Sequence, residues 1–235
     1  MASALDTLLT SEVAPPMRAA GYKRKGRRFI LENDRGDRAF IEVSTSGRLV
    51  LGDGYRHFWV RPWMMPEPFT DKWRARTVGD PLSAGDGLPL WDVRPPAAFV
   101  SRWGDDVWAV PEGDPDQVAE CGRAVAQALV PSVVEQQRRL LDRATLLQET
   151  RRADARPRPD RQESPLGLWR GFGGEVLTLL ADAGDTAGVA ELLEDGETNW
   201  LVLRDQGSRF ATDLLSWVDR RLEVRGAPSL TDYLP

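Results

Sequence analysis

The sequence of 235 residues contains only one cysteine and one histidine, Cys121 and His57. A single cysteine cannot form an internal disulfide, and a structural zinc site needs about four cysteine or histidine ligands. We therefore predict no metal site and no cofactor. No apolar run approaches the roughly 20 residues of a membrane-spanning helix, and the first residues lack a basic-then-apolar signal pattern. We expect a cytoplasmic protein with no membrane partner.

The familiar catalytic motifs are also missing. The chain has no Gly-x-Ser-x-Gly nucleophile turn, and no P-loop lysine follows the glycines that end at Gly174. Cys121 lies on the apolar stripe of a predicted helix, where a thiol is typically an inert core residue. We predict no catalytic residue, and the sequence favours a protein that is not an enzyme.

The composition is that of an ordinary folded protein, with 41% hydrophobic and 29% charged residues. The net charge is -5, and both signs are interspersed along the chain. Such a charge gives no global attraction to nucleic acid or to an anionic membrane. Any binding of that kind would have to be local.

Runs of β-forming residues predict an antiparallel sheet, built as a meander followed by a hairpin. The meander strands are expected at Arg27 to Asn33, Arg38 to Ser44, Leu49 to Leu51 and Tyr55 to Arg61. A proline- and tryptophan-rich segment, Pro62 to Pro96, shows no sustained period and is predicted to be an ordered excursion. The hairpin is expected at Ala98 to Trp103 and Val107 to Val110, around a turn at Gly104-Asp105-Asp106.

Helices are predicted on either side of this sheet in the sequence. Ser3 is a candidate cap for a first helix that kinks or restarts at Pro15-Pro16 and ends at Gly21. Asp114 followed by Pro115 starts a second helix that Pro131 is expected to break, with a third helix running from Ser132 to Leu147. The predicted fold is α+β, with an antiparallel sheet flanked by helices and a C-terminal helical appendage of three helices. The predicted division is a sheet domain at 1–150, a linker at 151–164 and the appendage at 165–235.

The run Gly21-Tyr22-Lys23-Arg24-Lys25-Gly26-Arg27-Arg28-Phe29 resembles the opening of an uncharacterised family called domain of unknown function 4304. In that family, a leading helix ends in a glycine-aromatic-basic run and enters a sheet. The similar order of elements extends the resemblance over roughly Leu5 to Leu147. The resemblance implies an α+β fold and implies no catalytic residue.

The sharpest local charge feature is a basic run made of Lys23, Arg24, Lys25, Arg27 and Arg28. Cations on an extended arm can displace counterions from a nucleic acid backbone, and neighbouring aromatic rings can stack on bases. The alternative is a solvated strand whose charges protect an exposed sheet edge. We favour this alternative because the chain as a whole is acidic.

A second candidate surface surrounds the lone histidine. Alternation places Tyr55, His57, Trp59 and Arg61 on one face of a predicted strand, and Trp63 follows at the start of the tryptophan-rich segment. An imidazole can act as a general base, although a lone histidine is more often a packed sheet residue. Partly exposed tryptophans would form an aromatic anchor patch of the kind that protein interfaces use.

These features support three hypotheses of function. The leading one is a non-enzymatic protein-binding or accessory module, for example an inhibitor or immunity-type partner of another protein. The second is a nucleic-acid-associated protein that uses the Lys23 to Arg28 arm. The third is an enzyme centred on His57.

Overall fold

The computed structural model describes residues 3–45, 54–74, 87–154, 166, 173–195 and 200–230. They form an antiparallel sheet with helices and a helical C-terminal part, which confirms the predicted α+β class. The chain forms two compact units. Unit 1 comprises Met1–Met65 with Pro89–Asp142, and unit 2 comprises Pro66–Leu88 with Arg143–Pro235. The predicted division into domains stays a prediction, and residues 155–164 of the predicted linker lie outside the described residues.

The sheet has the strand order β1-β2-β3-β4-β7-β6, and β5 pairs with β4 beside this path. Its strands are β1 (Lys23–Lys25), β2 (Arg28–Glu32), β3 (Arg38–Ser44), β4 (Tyr55–Met65), β5 (Leu88–Pro89), β6 (Val100–Ser101) and β7 (Gly104–Pro111). Every strand pair on this path for which the register is known is antiparallel. The predicted strand at Leu49–Leu51 lies outside the described residues.

Two predictions about this part of the chain are wrong in detail. The expected excursion from Pro62 begins inside β4 and then forms a helix, α3 (Glu67–Arg74), before β5. The turn of the hairpin lies at residues 102–103, before the predicted turn at Gly104. It forms there because the Ser101 hydroxyl accepts a hydrogen bond from the Trp103 backbone N–H. Gly104 and the two aspartates after it therefore belong to β7.

Two helical rods in unit 1 each contain prolines and one π-helical turn. Pro131 lies inside the π-turn of the second rod, whereas Pro15 and Pro16 follow the π-turn of the first. The first consists of α1 (Ala4–Leu8), a π-turn (Leu9–Val13) and α2 (Ala14–Ala19). The second consists of α4 (Pro115–Ala128), a π-turn (Leu129–Val133) and α5 (Val134–Leu140). The residue after each π-turn donates its N–H to the carbonyl five residues back. In the second rod the wider turn contains Pro131, which cannot donate a backbone hydrogen bond. The expected break at Pro131 is therefore wrong, since the chain stays helical there.

The predicted helix boundaries are confirmed at the capped ends. The Ser3 side chain accepts a hydrogen bond from the Asp6 N–H, and Asp114 accepts from the N–H groups of Asp116 and Gln117. Gly21 follows α2 with a φ of 90°, a left-handed conformation that a side chain would disfavour. These local signals set where the rods start and stop.

The core of unit 1 lies between these rods and one face of the sheet. It contains Phe29, Ile41, Phe58, Val60 and Trp108 from the strands together with the leucine and valine stripes of the rods. A Cβ added at Gly122 would lie 2.7 Å from the Glu12 Cβ, so the rods cross closely at this glycine. Cys121 beside it is fully buried, as predicted.

Unit 2 is helical over most of its described residues. Its helices are α3, a 12-residue α6 (Arg143–Asp154), α7 (Gly173–Ala183), α8 (Thr186–Asp195), α9 (Trp200–Asp205) and α10 (Arg209–Val224). The three predicted C-terminal helices are confirmed as α7, α8 and α10, while α9 was not predicted. Unit 1 also contains a short 3-10 turn, Ala97–Phe99, just before β6.

Candidate functional site

The strand register brings the two candidate surfaces together on the sheet face opposite the two helical rods of unit 1. Residues directly opposite each other in antiparallel strands share a face. Lys25 pairs with Arg28, Arg28 with Glu42, and Glu42 with Arg61, so one row crosses four strands. Eight of the ten predicted binding residues lie on this face: Lys23, Lys25, Arg28, Tyr55, His57, Trp59, Arg61 and Trp63. We call it the arginine–tryptophan face.

From Arg28 onward, positive and negative charges alternate along the central row of this face. The Arg28 guanidinium contacts one Glu42 carboxylate oxygen through Nε at 2.9 Å and Nη2 at 2.8 Å. At the other end of the row, Arg61 Nε lies 3.4 Å from an oxygen of Asp92. Asp92 is held there because Val93 and Leu90 donate backbone hydrogen bonds to the edge of β4. Sequence reasoning missed both acidic residues, since their places depend on pairing with distant chain segments.

Aromatic rings occupy the rows on either side. The Arg61 guanidinium lies over the Trp59 ring with its carbon 5.0 Å from the ring centroid, a cation–π contact. Phe40 stacks on Trp63 with 6.2 Å between centroids. Two buried polar atoms in these rows, Trp63 Nε1 and Ser44 Oγ, have no hydrogen-bond partner within the described chain. Buried donors without acceptors are rare in folded proteins and call for an explanation.

His57 lies near the end of the same face and is only 4% exposed. Its Nδ1 lies 2.9 Å from the Ser101 hydroxyl, which also accepts the Trp103 N–H. The pairing of an imidazole with a hydroxyl is a chemistry that sequence reasoning missed, because 44 residues separate the two partners. Ser101 is also 4% exposed, and its oxygen holds the β6–β7 turn, so the geometry is that of a structural hydrogen bond. Tyr55, two residues before His57, is 48% exposed.

The other two members of the basic run point away from this face. Arg27 donates two hydrogen bonds to the carboxylate of Asp6, at 3.0 and 3.3 Å, and these hold the pKa of Asp6 below its usual value. Arg24 donates to the Gly26 carbonyl and the Thr10 hydroxyl. The predicted arm is therefore part of the β1–β2 hairpin, and these two arginines tie the hairpin to the first helical rod.

Unit 2 contains a separate charge cluster that the sequence did not reveal. Asp182 on α7 is 5% exposed in its side chain and accepts hydrogen bonds from Arg143, Arg221 and Arg225. Burial acts to raise the pKa of Asp182, but the hydrogen bonds from Arg225 and Arg221 and the charge of Arg143 hold it below its usual value. Arg221 also bonds to Glu67 at 2.7 Å. The cluster joins α3, α6, α7 and α10 and has the geometry of a structural network.

Among the described residues, no three histidine, cysteine or acidic side chains are grouped so that they could hold a metal ion. No helix in the described part of the chain is long and apolar enough to cross a bilayer. No family model, no curated protein and no solved structure matches this chain. The resemblance to domain of unknown function 4304 stays a prediction.

Proposed function

We propose that this chain is a non-enzymatic, cytoplasmic protein-binding module whose arginine–tryptophan face contacts another protein. The observation that carries this proposal is the array of Trp59, Arg61 and Trp63 on one face of β4, with half-exposed Tyr55 at its end. Tryptophan, tyrosine and arginine are the residues that most often dominate the binding energy of protein interfaces.

The charges of the face also favour a protein partner. Glu42 and Asp92 lie among its cations, so the surface carries both signs in a fixed pattern. Such a pattern selects a complementary pattern of charges on a protein partner. An inhibitor or immunity-type protein that covers an active site is the version of this function we favour.

The test is affinity capture of the tagged full chain from its native cytoplasm, with and without nuclease, followed by mass spectrometry. We expect a stoichiometric protein partner that survives nuclease treatment. Tyr55→Ala should reduce its recovery at least ten-fold, because Tyr55 is exposed on the face. The matched control is Phe210→Ala, which removes an aromatic ring of similar exposure, 46%, from unit 2. Capture of no stoichiometric protein, or equal losses with both variants, would overturn the proposal.

A second candidate function is nucleic acid binding, and the strand register favours it. Lys23 and Lys25 are exposed and lie in the same rows as Trp63 and Arg28. A basic and aromatic sheet face can bind a single strand by stacking and counterion release. The test is binding of a thymidine oligonucleotide over a range of salt concentrations, comparing the double variant K23E/K25E with R209E/R220E, which changes the net charge equally. Salt-independent binding, or equal losses with both double variants, would exclude this function.

A further inference from the structure

Arg61 has hydrogen-bonding capacity that the described part of the chain does not use. A guanidinium carries five N–H donors. The Arg61 Nε donor reaches Asp92 only at 3.4 Å, longer than the roughly 2.7–2.9 Å of a strong charge-assisted bond. In the described chain, no residue accepts a hydrogen bond from its Nη1 or Nη2 group. Arg28, by contrast, makes two short bonds to Glu42 in the same row.

The stack on Trp59 prepares this guanidinium for a planar anion. The ring holds one side of the group at 5.0 Å, and the side chain remains 27% exposed. A guanidinium whose plane is fixed loses less entropy when it forms a two-pronged contact with a carboxylate. The geometry is therefore that of an arginine oriented before its ligand arrives.

A second, independent observation concerns the neighbouring rows. Trp63 Nε1 and Ser44 Oγ, the buried groups without partners in the described chain, lie in the rows directly before and after Arg61. Rows on one face of a strand are about 7 Å apart, so three groups with unused donors lie along about 13 Å of the β3–β4 pair. These three groups therefore offer donors that no acceptor in the described chain uses. Trp63 Nε1 and Ser44 Oγ are shielded in the free chain, so they contribute only as side chains rearrange on binding.

We infer that the partner is recognised through an acidic polypeptide segment, with one carboxylate bound by Arg61 in place of Asp92. This inference rests on the proposed protein-binding function and names the chemistry of its partner. Charge complementarity supports it, because the face has five cations on β1 to β4 (Lys23, Lys25, Arg28, Arg38 and Arg61). They outnumber the three described carboxylates beside them, Glu32, Glu42 and Asp92. Further glutamates or aspartates of the segment would then meet Lys23 and Lys25 on β1.

The test uses the full chain, labelled with 15N, and a glutamate decapeptide as the probe at low salt. We expect the Arg61 Nε–H resonance to shift on titration. Arg61→Lys should weaken binding of the decapeptide at least ten-fold, because lysine keeps the charge but loses the planar fork and the stack. Asp92→Asn should tighten binding several-fold, because it removes the competing carboxylate. Arg209→Lys, at an exposed arginine of unit 2, is the matched control and should change nothing.

Three results would overturn the inference. They are the absence of any shift at Arg61, equal binding by the Arg61→Lys variant, and tighter binding of a thymidine decanucleotide than of the decapeptide, which would identify a nucleic acid ligand. Failure of the proposed function is distinguishable. A captured partner that is lost with Tyr55→Ala but kept with Arg61→Lys leaves the protein-binding function standing and removes only the acidic segment. Decapeptide binding at Arg61 without any captured partner would leave the contact with an acidic segment standing and remove the protein-binding function.

Discussion

Replacing Asp182 with asparagine removes one negative charge from a buried point in unit 2 where three guanidinium groups converge. The side chain of Asp182 is 5% exposed, and those of Arg221 and Arg143 are 15% and 19% exposed. Breaking a buried ion pair by removing one partner typically costs about 3–5 kcal/mol. Glu67 still neutralises part of the charge on Arg221 and Arg143, and the carbonyl oxygen of the new asparagine side chain can still accept hydrogen bonds. We therefore expect Asp182→Asn to lower the free energy of unfolding by about 3 kcal/mol, the low end of this range.

The assay is urea denaturation followed by circular dichroism, with hydrogen exchange of α7 and α10 to locate the loss. Asp205→Asn is the control, because Asp205 is 68% exposed and forms its ion pair with the adjacent Arg204. An exposed pair contributes less than about 1 kcal/mol. If Asp182→Asn lowers the midpoint no more than Asp205→Asn does, the cluster does not hold unit 2 together.

The same substitution predicts a pH dependence. The pKa of Asp182 is lower in the folded chain than its ordinary value of 3.8. Its contribution to stability is therefore fully present above about pH 5 and is lost as the pH falls below 3.8 toward the folded-state pKa. The stability difference between wild type and Asp182→Asn should shrink across that acidic window, and a constant difference would contradict the assignment.

Three further predictions concern unit 1. Gly122→Ala should lower the unfolding free energy by about 1–2 kcal/mol in urea denaturation, because overpacking against Glu12 outweighs the better helix propensity of alanine; Gly113→Ala, whose added Cβ meets nothing within 4 Å, is the control. Burial raises the pKa of Cys121 to about 12, so the thiol should resist iodoacetamide at pH 8 until urea unfolds the chain, and labelling of the native protein would contradict this. Tyr22→Phe should cost about 1–3 kcal/mol in thermal unfolding, because its hydroxyl donates to buried Gln137 at 2.6 Å, and an unchanged melting temperature would refute that role.

The parts of the fold that local chemistry sets could be predicted from the sequence. The caps at Ser3 and Asp114 and strand β3, Arg38–Ser44, depend on residues only a few positions apart. The π-turns could not be predicted, because proline was expected to interrupt a helix. Packing of the rods against the sheet keeps the chain helical through Pro131.

The sequence predicts which residues of the candidate site share a face within one strand, but not which strands lie side by side. Alternation placed Tyr55, His57, Trp59 and Arg61 on one face, but no local pattern joins Lys25 to that face. The join depends on the register of three strand pairs. Asp92 arrives through pairing of a segment 31 residues away from Arg61, and such long-range partners leave no period in the sequence.

The π-turns determine how the rods accommodate a change in chain length. Leu5, Leu9, Val13 and Met17 are all fully buried although they are spaced by four residues, a spacing that drifts by about 40° per step in a regular α-helix. Three steps would turn Met17 about 120° away from the core. The wider π-turn takes up this rotation, so it acts as a one-residue insertion that keeps a single line of side chains. Deleting one residue there would remove the insertion and leave a regular helix whose core side chains follow at spacings of four, three and four residues, which still lie on one face. Forcing regular α-helical geometry on the full-length rod would instead rotate Val13 and Met17 off the core.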